Sequence, residues 1–164
     1  MPLDPEIIER LRRSGIRIDR DGEFQHEGAP VTHEGLRRAL FRWLDRLPDG
    51  RTILRLDPER FVYVDVDDTP LVVRAARIAG GGVFVALSDG TEEPLDPSTL
   101  TIDEHGVMRC WVRSRRIEAR IANSAAVVLA ELIDDGEPGG PVLTLGGRRF
   151  SLRPRSVTAA GAPR

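Results

Sequence analysis

One short pattern occurs twice in this chain, and it decides how the fold is interpreted. The first copy, Ile-Arg-Ile-Asp-Arg-Asp-Gly, occupies residues 16–22, and the second, Leu-Thr-Ile-Asp-Glu-His-Gly, occupies residues 100–106, 84 positions later. Each copy precedes a strand-like stretch, an apolar helical stripe, a glycine-containing turn and a last strand with an Arg-Phe pair, at residues 60–61 and 149–150. This similarity predicts a duplicated architecture, and ligands often bind at the seam between two packed halves.

Hydrophobic spacing predicts antiparallel strands with one principal helix in each half. In the first half, apolar residues at positions 36, 40, 43, 44 and 47 follow a helical period after a cap at Thr32. In the second half, Ser114 is predicted to cap a long helix whose inward residues run from Ile117 to Leu132. Strand pairs are predicted across the glycines at 80–82 and 146–147. The pattern indicates an α+β fold of sheet-plus-helix units and not alternating βαβ units.

The same elements divide the chain into four predicted segments. An N-terminal helix is expected at residues 1–14, a first α+β repeat at 15–96 and a second repeat at 97–153. The last residues, 154–164, are rich in Pro, Ala and Arg, and they are predicted to be disordered.

Composition excludes several classes of protein. The 164 residues are 40% apolar and 30% charged, which is ordinary for a globular protein. A net charge of -2 argues against bulk attraction to nucleic acid or to an anionic membrane surface. No apolar run is long enough to span a bilayer, and the acidic, proline-containing start is unlike a signal peptide, so a cytoplasmic protein is expected. All 24 basic residues are arginines, whose planar guanidinium suits carboxylates and phosphates.

Residue types that often carry chemistry form no recognisable motif. The three histidines lack metal-ligand spacing, and Cys110 alternates with Met108 and Val112 on one strand face as a core thiol would, so no metal or cofactor is expected. The glycines at 80–82 lie between two strands and do not precede a helix, which favours a hairpin turn over a phosphate-binding loop. An enzyme that uses a carboxylate as its base is therefore the less favoured class.

The densest polar constellation lies at residues 109–120. Its members are Arg109, Trp111, Arg113, Arg115, Arg116, Glu118 and Arg120. Arginines at a helix start oppose the helix dipole unless an anion or a carboxylate offsets them. Two partners fit: a bound phosphate, or an acidic cluster of the first half that would make an internal salt-bridge network. That cluster comprises Glu59, Asp65, Asp67 and Asp68, and Tyr63 shares a strand face with Asp65.

Five ordered blocks resemble a bacterial family known as domain of unknown function 1285. They are Ile-Arg-Ile-Asp at 16–19 with Gly22, Asp-Pro-Glu-Arg-Phe at 57–61, Val-Asp-Asp-Thr-Pro at 66–70, Val-Arg at 112–113 followed by Ile-Glu-Ala-Arg-Ile at 117–121, and Gly147 ahead of Arg-Phe at 149–150. The resemblance covers about residues 14–153. It implies a duplicated α+β core whose second half is loosely similar to a pleckstrin-homology fold. It also implies a seam that has been proposed to bind a nucleotide-like ligand, with a role in signalling and no established activity.

Carried over by matching position, the resemblance places six residues at or near that seam: Glu59, Asp67, Asp68, Arg113, Glu118 and Arg120. The chain departs from the family pattern at three positions. Leu71 replaces a usual aromatic residue, Trp111 replaces a common tyrosine, and Asn123 replaces a frequent arginine, which removes one positive charge.

The sequence thus predicts a non-enzymatic ligand-binding or regulatory module. Arg113 and Arg120 would donate to an anionic group of a nucleotide-like molecule, with Glu118 and Asp67 orienting them. Trp111 or Tyr63 would stack on a planar group of the same ligand. The alternative is a protein-interaction scaffold in which these charges are purely structural and the partner is another protein.

Overall fold

The protein consists of two compact units that divide between Pro70 and Leu71. The structure is a computed structural model that describes residues 4–155, apart from the side chains of residues 8, 10 and 11. Its helices and antiparallel hairpins confirm the α+β class. The division precedes the predicted repeat boundary at residues 96–97, so the strands between residues 71 and 94 belong to the second unit.

The first unit holds two helices and a six-stranded sheet. Its elements are α1 (Pro5–Leu11), β1 (Arg13–Ile18), β2 (Phe24–His26), β3 (Ala29–Pro30), α2 (Glu34–Trp43), β4 (Leu44–Arg46), β5 (Thr52–Arg55) and β6 (Phe61–Val66). The strand order is β3-β2-β1-β6-β5-β4, and the central β1–β6 pair is parallel while the others are antiparallel. Ile18, Ile53 and Leu54 are at most 1% exposed, so the core lies on the central strands.

The second unit contains a seven-stranded sheet and a three-stranded sheet. Its elements are β7 (Leu71–Ala79), β8 (Gly82–Leu87), β9 (Glu92–Pro94), a short 3-10 helix (Pro97–Thr99), β10 (Thr101–Ile102), β11 (Met108–Val112), β12 (Ile117–Ile121), α3 (Asn123–Ala130), β13 (Ile133–Asp134), β14 (Val142–Leu145), β15 (Arg148–Ser151) and β16 (Arg153–Pro154). The larger sheet has the order β16-β10-β11-β12-β7-β8-β9, and the smaller has β13-β14-β15. The hairpins predicted across both glycine turns are confirmed.

From β10 onward, the second unit follows the element order of the first. The shared succession is two paired strands, a third strand, a helix and three further strands. In the second unit the last of these strands is divided into β15 and β16, which only Leu152 separates. The parallel pair β1–β6 has its counterpart in the parallel pair β10–β16. This shared order agrees with the predicted duplication, which stays a prediction, as does the likeness of the second half to a pleckstrin-homology fold. Among the described residues of the first unit, no strands correspond to β7–β9.

The repeated sequence pattern forms the same turn in both units. Asp19 Oδ1 accepts hydrogen bonds from two backbone N–H groups, two and four residues further on, each at 3.0 Å. Asp103 Oδ1 does the same at 2.9 and 3.0 Å. The glycines of the two patterns, Gly22 and Gly106, both have a φ of +78°, in the left-handed region that favours glycine. An aspartate that bonds to the backbone ahead of a left-handed glycine therefore explains why these two positions recur.

The long helix predicted from Ser114 is wrong. Residues 117–121 form β12, and the helix α3 begins only at Asn123. Ile117, Ala119 and Ile121 are at most 2% exposed and alternate with two polar residues, which is the period of a strand. A separation of four positions between the two isoleucines fits a helix and a strand equally, so that spacing misled the prediction.

Three smaller predictions also need correction. The cap of α2 is His33 and not Thr32, and Leu44 lies in β4, beyond the end of the helix. Pro154, assigned to the disordered tail, pairs with Ile102 in the sheet. The remainder of that predicted tail, 156–164, lies outside the described residues.

Candidate functional site

Three of the predicted site residues lie together on neighbouring strands of the second unit. Trp111 lies directly opposite Glu118, and Arg109 lies directly opposite Arg120, in the antiparallel β11–β12 pair. Directly opposed residues point to the same side of a sheet, so these four side chains form one surface, which we call the polar face. The residues between them are buried on the other side: Cys110, Val112, Ile117 and Ala119. The polar face therefore arises from the alternation of side chains along β11 and β12, whereas the sequence predicted these charges at the start of a helix.

Two of the charged residues of the polar face, Arg109 and Glu118, form ion pairs. Arg109 Nη1 donates to Asp103 Oδ2 at 2.8 Å, and the arginine side chain is only 8% exposed. The hydrogen bond from Arg109 lowers the pKa of Asp103 to about 2. Arg155 Nη2 donates to Glu118 Oε2 at 3.2 Å, so the glutamate of the polar face also has a cationic partner.

Arg113 lies in the turn between β11 and β12, and both its guanidinium and its backbone N–H donate to the β8–β9 hairpin. Its Nη2 donates to Asp89 Oδ2 at 2.8 Å, and the aspartate side chain is only 2% exposed. Its backbone N–H donates to the Glu93 carboxylate at 3.0 Å. Burial works to raise the pKa of Asp89, but hydrogen bonds from Thr91 and Arg113 outweigh it and hold that pKa below its ordinary value.

The turn itself is unusual because three successive non-glycine residues are left-handed. Arg113, Ser114 and Arg115 have φ values of +49°, +56° and +64°. Such residues are strained and persist where their surroundings hold them. The anchors are carboxylates of the preceding segment: Asp89 and Glu93 hold Arg113, while Asp96 accepts two bonds from the guanidinium of Arg115, at 2.9 and 2.6 Å.

The acidic residues predicted for the first half are spread along one strand and its flanking turns. Glu59 is exposed in the β5–β6 turn, and Asp68 is half-buried beyond the end of β6. Asp67 accepts two hydrogen bonds from the Arg17 guanidinium, at 2.7 and 2.6 Å. These bonds lower the pKa of Asp67. Asp67 and Arg113 therefore each have a salt-bridge partner within their own unit.

Tyr63 is held by charged neighbours on its own side of the first sheet. Its hydroxyl donates to Glu9 Oε2 at 2.9 Å, and the Arg51 guanidinium lies 4.4 Å from the centre of its ring. Arg51 also donates to Glu9 Oε1 at 3.2 Å. The cation occupies one face of the tyrosine ring, so Trp111 is the better placed of the two predicted stacking residues.

Sequence reasoning did not identify the partners that fix the arginines. Asp89 and Asp96 both occur in turn sequences, Ser-Asp-Gly and Asp-Pro-Ser, which are typical of ordinary loop aspartates. It also gave no indication of a cleft of about 400 Å³ in the first unit, which none of the predicted site residues lines.

The described residues hold no cluster of metal ligands, and the single cysteine is buried. Within residues 4–155 there is no group of three or more His, Cys, Asp or Glu side chains that could hold a metal ion. Cys110 is fully buried, and burial raises the pKa of its thiol to about 12, which confirms its interpretation as a core residue. Across the same described range, no helix is both long and apolar enough to cross a membrane.

The fold is thus an α+β architecture in which one succession of elements occurs in both units. It is the fold of two DUF1285 family proteins of known crystal structure, as the sequence resemblance predicted. The protein from Silicibacter pomeroyi DSS-3 has a TM-score of 0.71 and 24% sequence identity, over 86% of this chain and 80% of that chain. The protein from Shewanella baltica OS155 has a TM-score of 0.62 and 16% identity, over 73% of this chain and 93% of that chain. Neither a protein-family model nor a curated protein matches the chain.

Proposed function

We propose that this protein is a non-enzymatic regulatory module that acts in signalling by binding a nucleotide-like anion at the polar face. The observation that carries the proposal is the pairing of Trp111 with Glu118 beside Arg109 and Arg120 on adjacent strands. A half-buried indole offers a planar surface for a base, and a neighbouring guanidinium offers paired donors to a phosphate.

Each residue then has a distinct part in binding. Trp111 stacks on the planar group, and Arg120 donates to the anionic group. Glu118 lies two residues before Arg120 on the same face of β12 and orients it, and the Arg109–Asp103 ion pair fixes Arg109 on the neighbouring strand. The residues of the polar face lie on strands, and the carboxylates of Asp103 and Glu118 already form ion pairs. Binding therefore requires little reordering of side chains.

Tryptophan fluorescence tests this proposal directly. The chain has two tryptophans, so Trp43→Phe leaves Trp111 as the reporter. Titration with nucleoside mono-, di- and triphosphates is expected to change its emission saturably, with Arg120→Gln weakening affinity at least about tenfold because one charged donor is lost. Arg115→Gln is the matched control, since this arginine bonds to Asp96 away from the polar face.

Inorganic phosphate should bind more weakly than any nucleotide, because it has no group to stack on the indole. An unchanged Trp111 emission together with an unchanged melting temperature, at millimolar concentrations of every nucleotide, contradicts the proposal.

A second candidate is a protein-interaction scaffold, and the ion pairs within each unit favour it. Arg113 bonds to Asp89, Arg17 to Asp67 and Arg109 to Asp103. Charges satisfied in this way need no ligand to offset them. In that case Arg120→Gln changes the melting temperature alone, and no nucleotide stabilises either form of the protein.

A further inference from the structure

The first unit contains a cleft that the function proposed above does not use. It has a volume of about 400 Å³ and lies between the strands β1–β3 and the first turns of α2. Carbon atoms make up most of its wall, contributed by Ile16, Pro30, Val31, Leu36 and Leu40. This volume is within the range of about 300–1,000 Å³ that small-molecule sites occupy in proteins.

Leu36 is 46% exposed even though it belongs to the apolar stripe of α2. The stripe predicts burial at this position, whereas Leu40, one turn further on, is 4% exposed. The difference arises because Leu40 reaches the core and Leu36 reaches only the open part of the cleft. The helix therefore presents an apolar side chain that the described part of the first unit leaves uncovered.

The second unit shows how the corresponding position is filled. There the third strand of the shared order, β12, pairs in parallel with β7, and α3 packs against β7. Leu71, Val72 and Val73 of β7 are at most 2% exposed as a result. In the first unit the third strand, β3, is the edge of its sheet. The cleft thus lies where the second unit has an additional strand.

An added peptide strand is nevertheless a poor occupant for the first unit. The edge strand β3 is only two residues long, and Pro30 has no N–H group to donate. Proline at an edge is a common means of preventing strand addition. A small molecule, which needs no backbone pairing, fits this edge better than an extended peptide does.

Three polar residues line the cleft, His26, Thr32 and His33, and His33 has a hydrogen bond that sets the position of its proton. Its Nδ1 accepts a hydrogen bond from the Leu36 N–H at 3.1 Å, which caps α2. Because that bond uses the lone pair of Nδ1, a neutral imidazole carries its proton on Nε2, which makes Nε2 a hydrogen-bond donor in one of the residues that line the cleft. None of the residues that line the cleft is acidic. His33 also lies at the amino end of α2, where the helix dipole favours a negatively charged group.

We propose that this cleft binds a small apolar carboxylic acid of the size of a medium-chain fatty acid. The carboxylate accepts a hydrogen bond from His33 Nε2, and the hydrocarbon portion packs against Ile16, Leu36 and Leu40. The capping hydrogen bond at Nδ1 leaves Nε2 of His33 as the donor, and the apolar walls favour a hydrocarbon chain. No acidic residue lines the cleft, so none repels the carboxylate of the ligand. This site is separate from the polar face, so either can be present without the other.

Calorimetric titration of the full chain with decanoate tests the proposal, with decanol as the neutral ligand of equal chain length. Decanoate is expected to bind at least about tenfold more tightly than decanol, because only the carboxylate is a charged acceptor for His33. His33→Asn retains a capping side chain but removes the imidazole donor, so it should reduce decanoate binding to the level of decanol. Equal affinities for the acid and the alcohol in the unmodified protein overturn the proposal.

A pair of leucine variants tests the location. Leu36→Gln removes apolar wall from the cleft and should weaken both ligands several-fold. Leu56→Gln is the matched control, because Leu56 is 48% exposed, as Leu36 nearly is, and does not line the cleft. Equal losses from the two variants, or no saturable binding of decanoate, also overturn the proposal.

Discussion

The two units build the same turn but stabilise it differently. In the first unit, the second oxygen of Asp19 accepts from the neutral amide of Gln25 at 3.0 Å. In the second unit, the second oxygen of Asp103 accepts from the guanidinium of Arg109 at 2.8 Å. The backbone geometry therefore needs an aspartate and not an ion pair. The charge in the second unit is an addition, placed where the strand continues into the polar face.

The units also differ beside the third strand of the shared order. The second unit places β7 against β12, whereas β3 ends the sheet of the first unit. One tryptophan in each unit, Trp43 in α2 and Trp111 in β11, allows the units to be followed separately. Single-tryptophan variants therefore allow the unfolding of each unit to be measured separately.

The largest difference is expected from removing the aspartate charge in the two turns. Asp103→Asn keeps an oxygen that accepts from the backbone N–H groups, but it removes the ion pair with the buried Arg109 side chain. It should lower the free energy of unfolding by about 2 to 3 kcal/mol. Asp19→Asn should lower it by less than about 0.5 kcal/mol, because its second partner is an amide. Urea unfolding followed at Trp111 and Trp43 measures both, and equal losses contradict the comparison.

A smaller loss is expected where the β7–β8 and β14–β15 hairpin turns of the second unit meet. A Cβ atom on Gly146 would lie 2.9 Å from the carbonyl oxygen of Gly81, and Gly146 has a φ of +57°. Gly146→Ala should therefore lower the free energy of unfolding by about 2 kcal/mol, measured by urea unfolding. Gly147→Ala, at a φ of +76° with no atom within 4 Å, is the control and should cost about 1 kcal/mol. Two equal losses would show that the contact between the turns is unimportant.

The smallest effect concerns acid. The pKa of Asp103 is about 2 in the folded protein, below its ordinary value of 3.8, so folding favours the charged carboxylate. This stabilisation is complete above about pH 4 and is lost as the pH falls towards 2. The free energy of unfolding, followed by Trp111 fluorescence, should thus decline less steeply between about pH 4 and pH 2 in Asp103→Asn than in the unmodified protein. Identical slopes in acid unfolding curves would mean that Asp103 is not a source of the decline.

Much of the fold follows from local sequence signals. The hairpins at residues 71–87 and 142–151 are found because glycines separate short apolar runs. The paired turns are found because Asp and Gly occur at equal spacing in both patterns. The strand β12 is missed because Ile117 and Ile121 suit either period, and only its pairing with β7 and β11 selects the strand.

The candidate site was predicted less completely. Trp111, Glu118 and Arg120 share a face, but their spacing in the sequence placed the last two on a helix, so the predicted geometry was wrong. The choice of Asp89 for Arg113 depends on the β8–β9 hairpin meeting the β11–β12 turn, and no local pattern encodes that meeting. The cleft beside α2 depends on an absent neighbouring strand, which a sequence period cannot report.

The parallel pairing of β7 with β12 has a consequence for synthesis on the ribosome. Every strand of the first sheet lies within residues 13–66, so that sheet has all its partners once Val66 has emerged. The strand β7 begins at Leu71, but its partner Ala119 follows 48 residues later. Three apolar residues at the start of β7 stay uncovered on that side throughout this interval. Chaperone capture of nascent chains should therefore concentrate on lengths that expose β7 before β12.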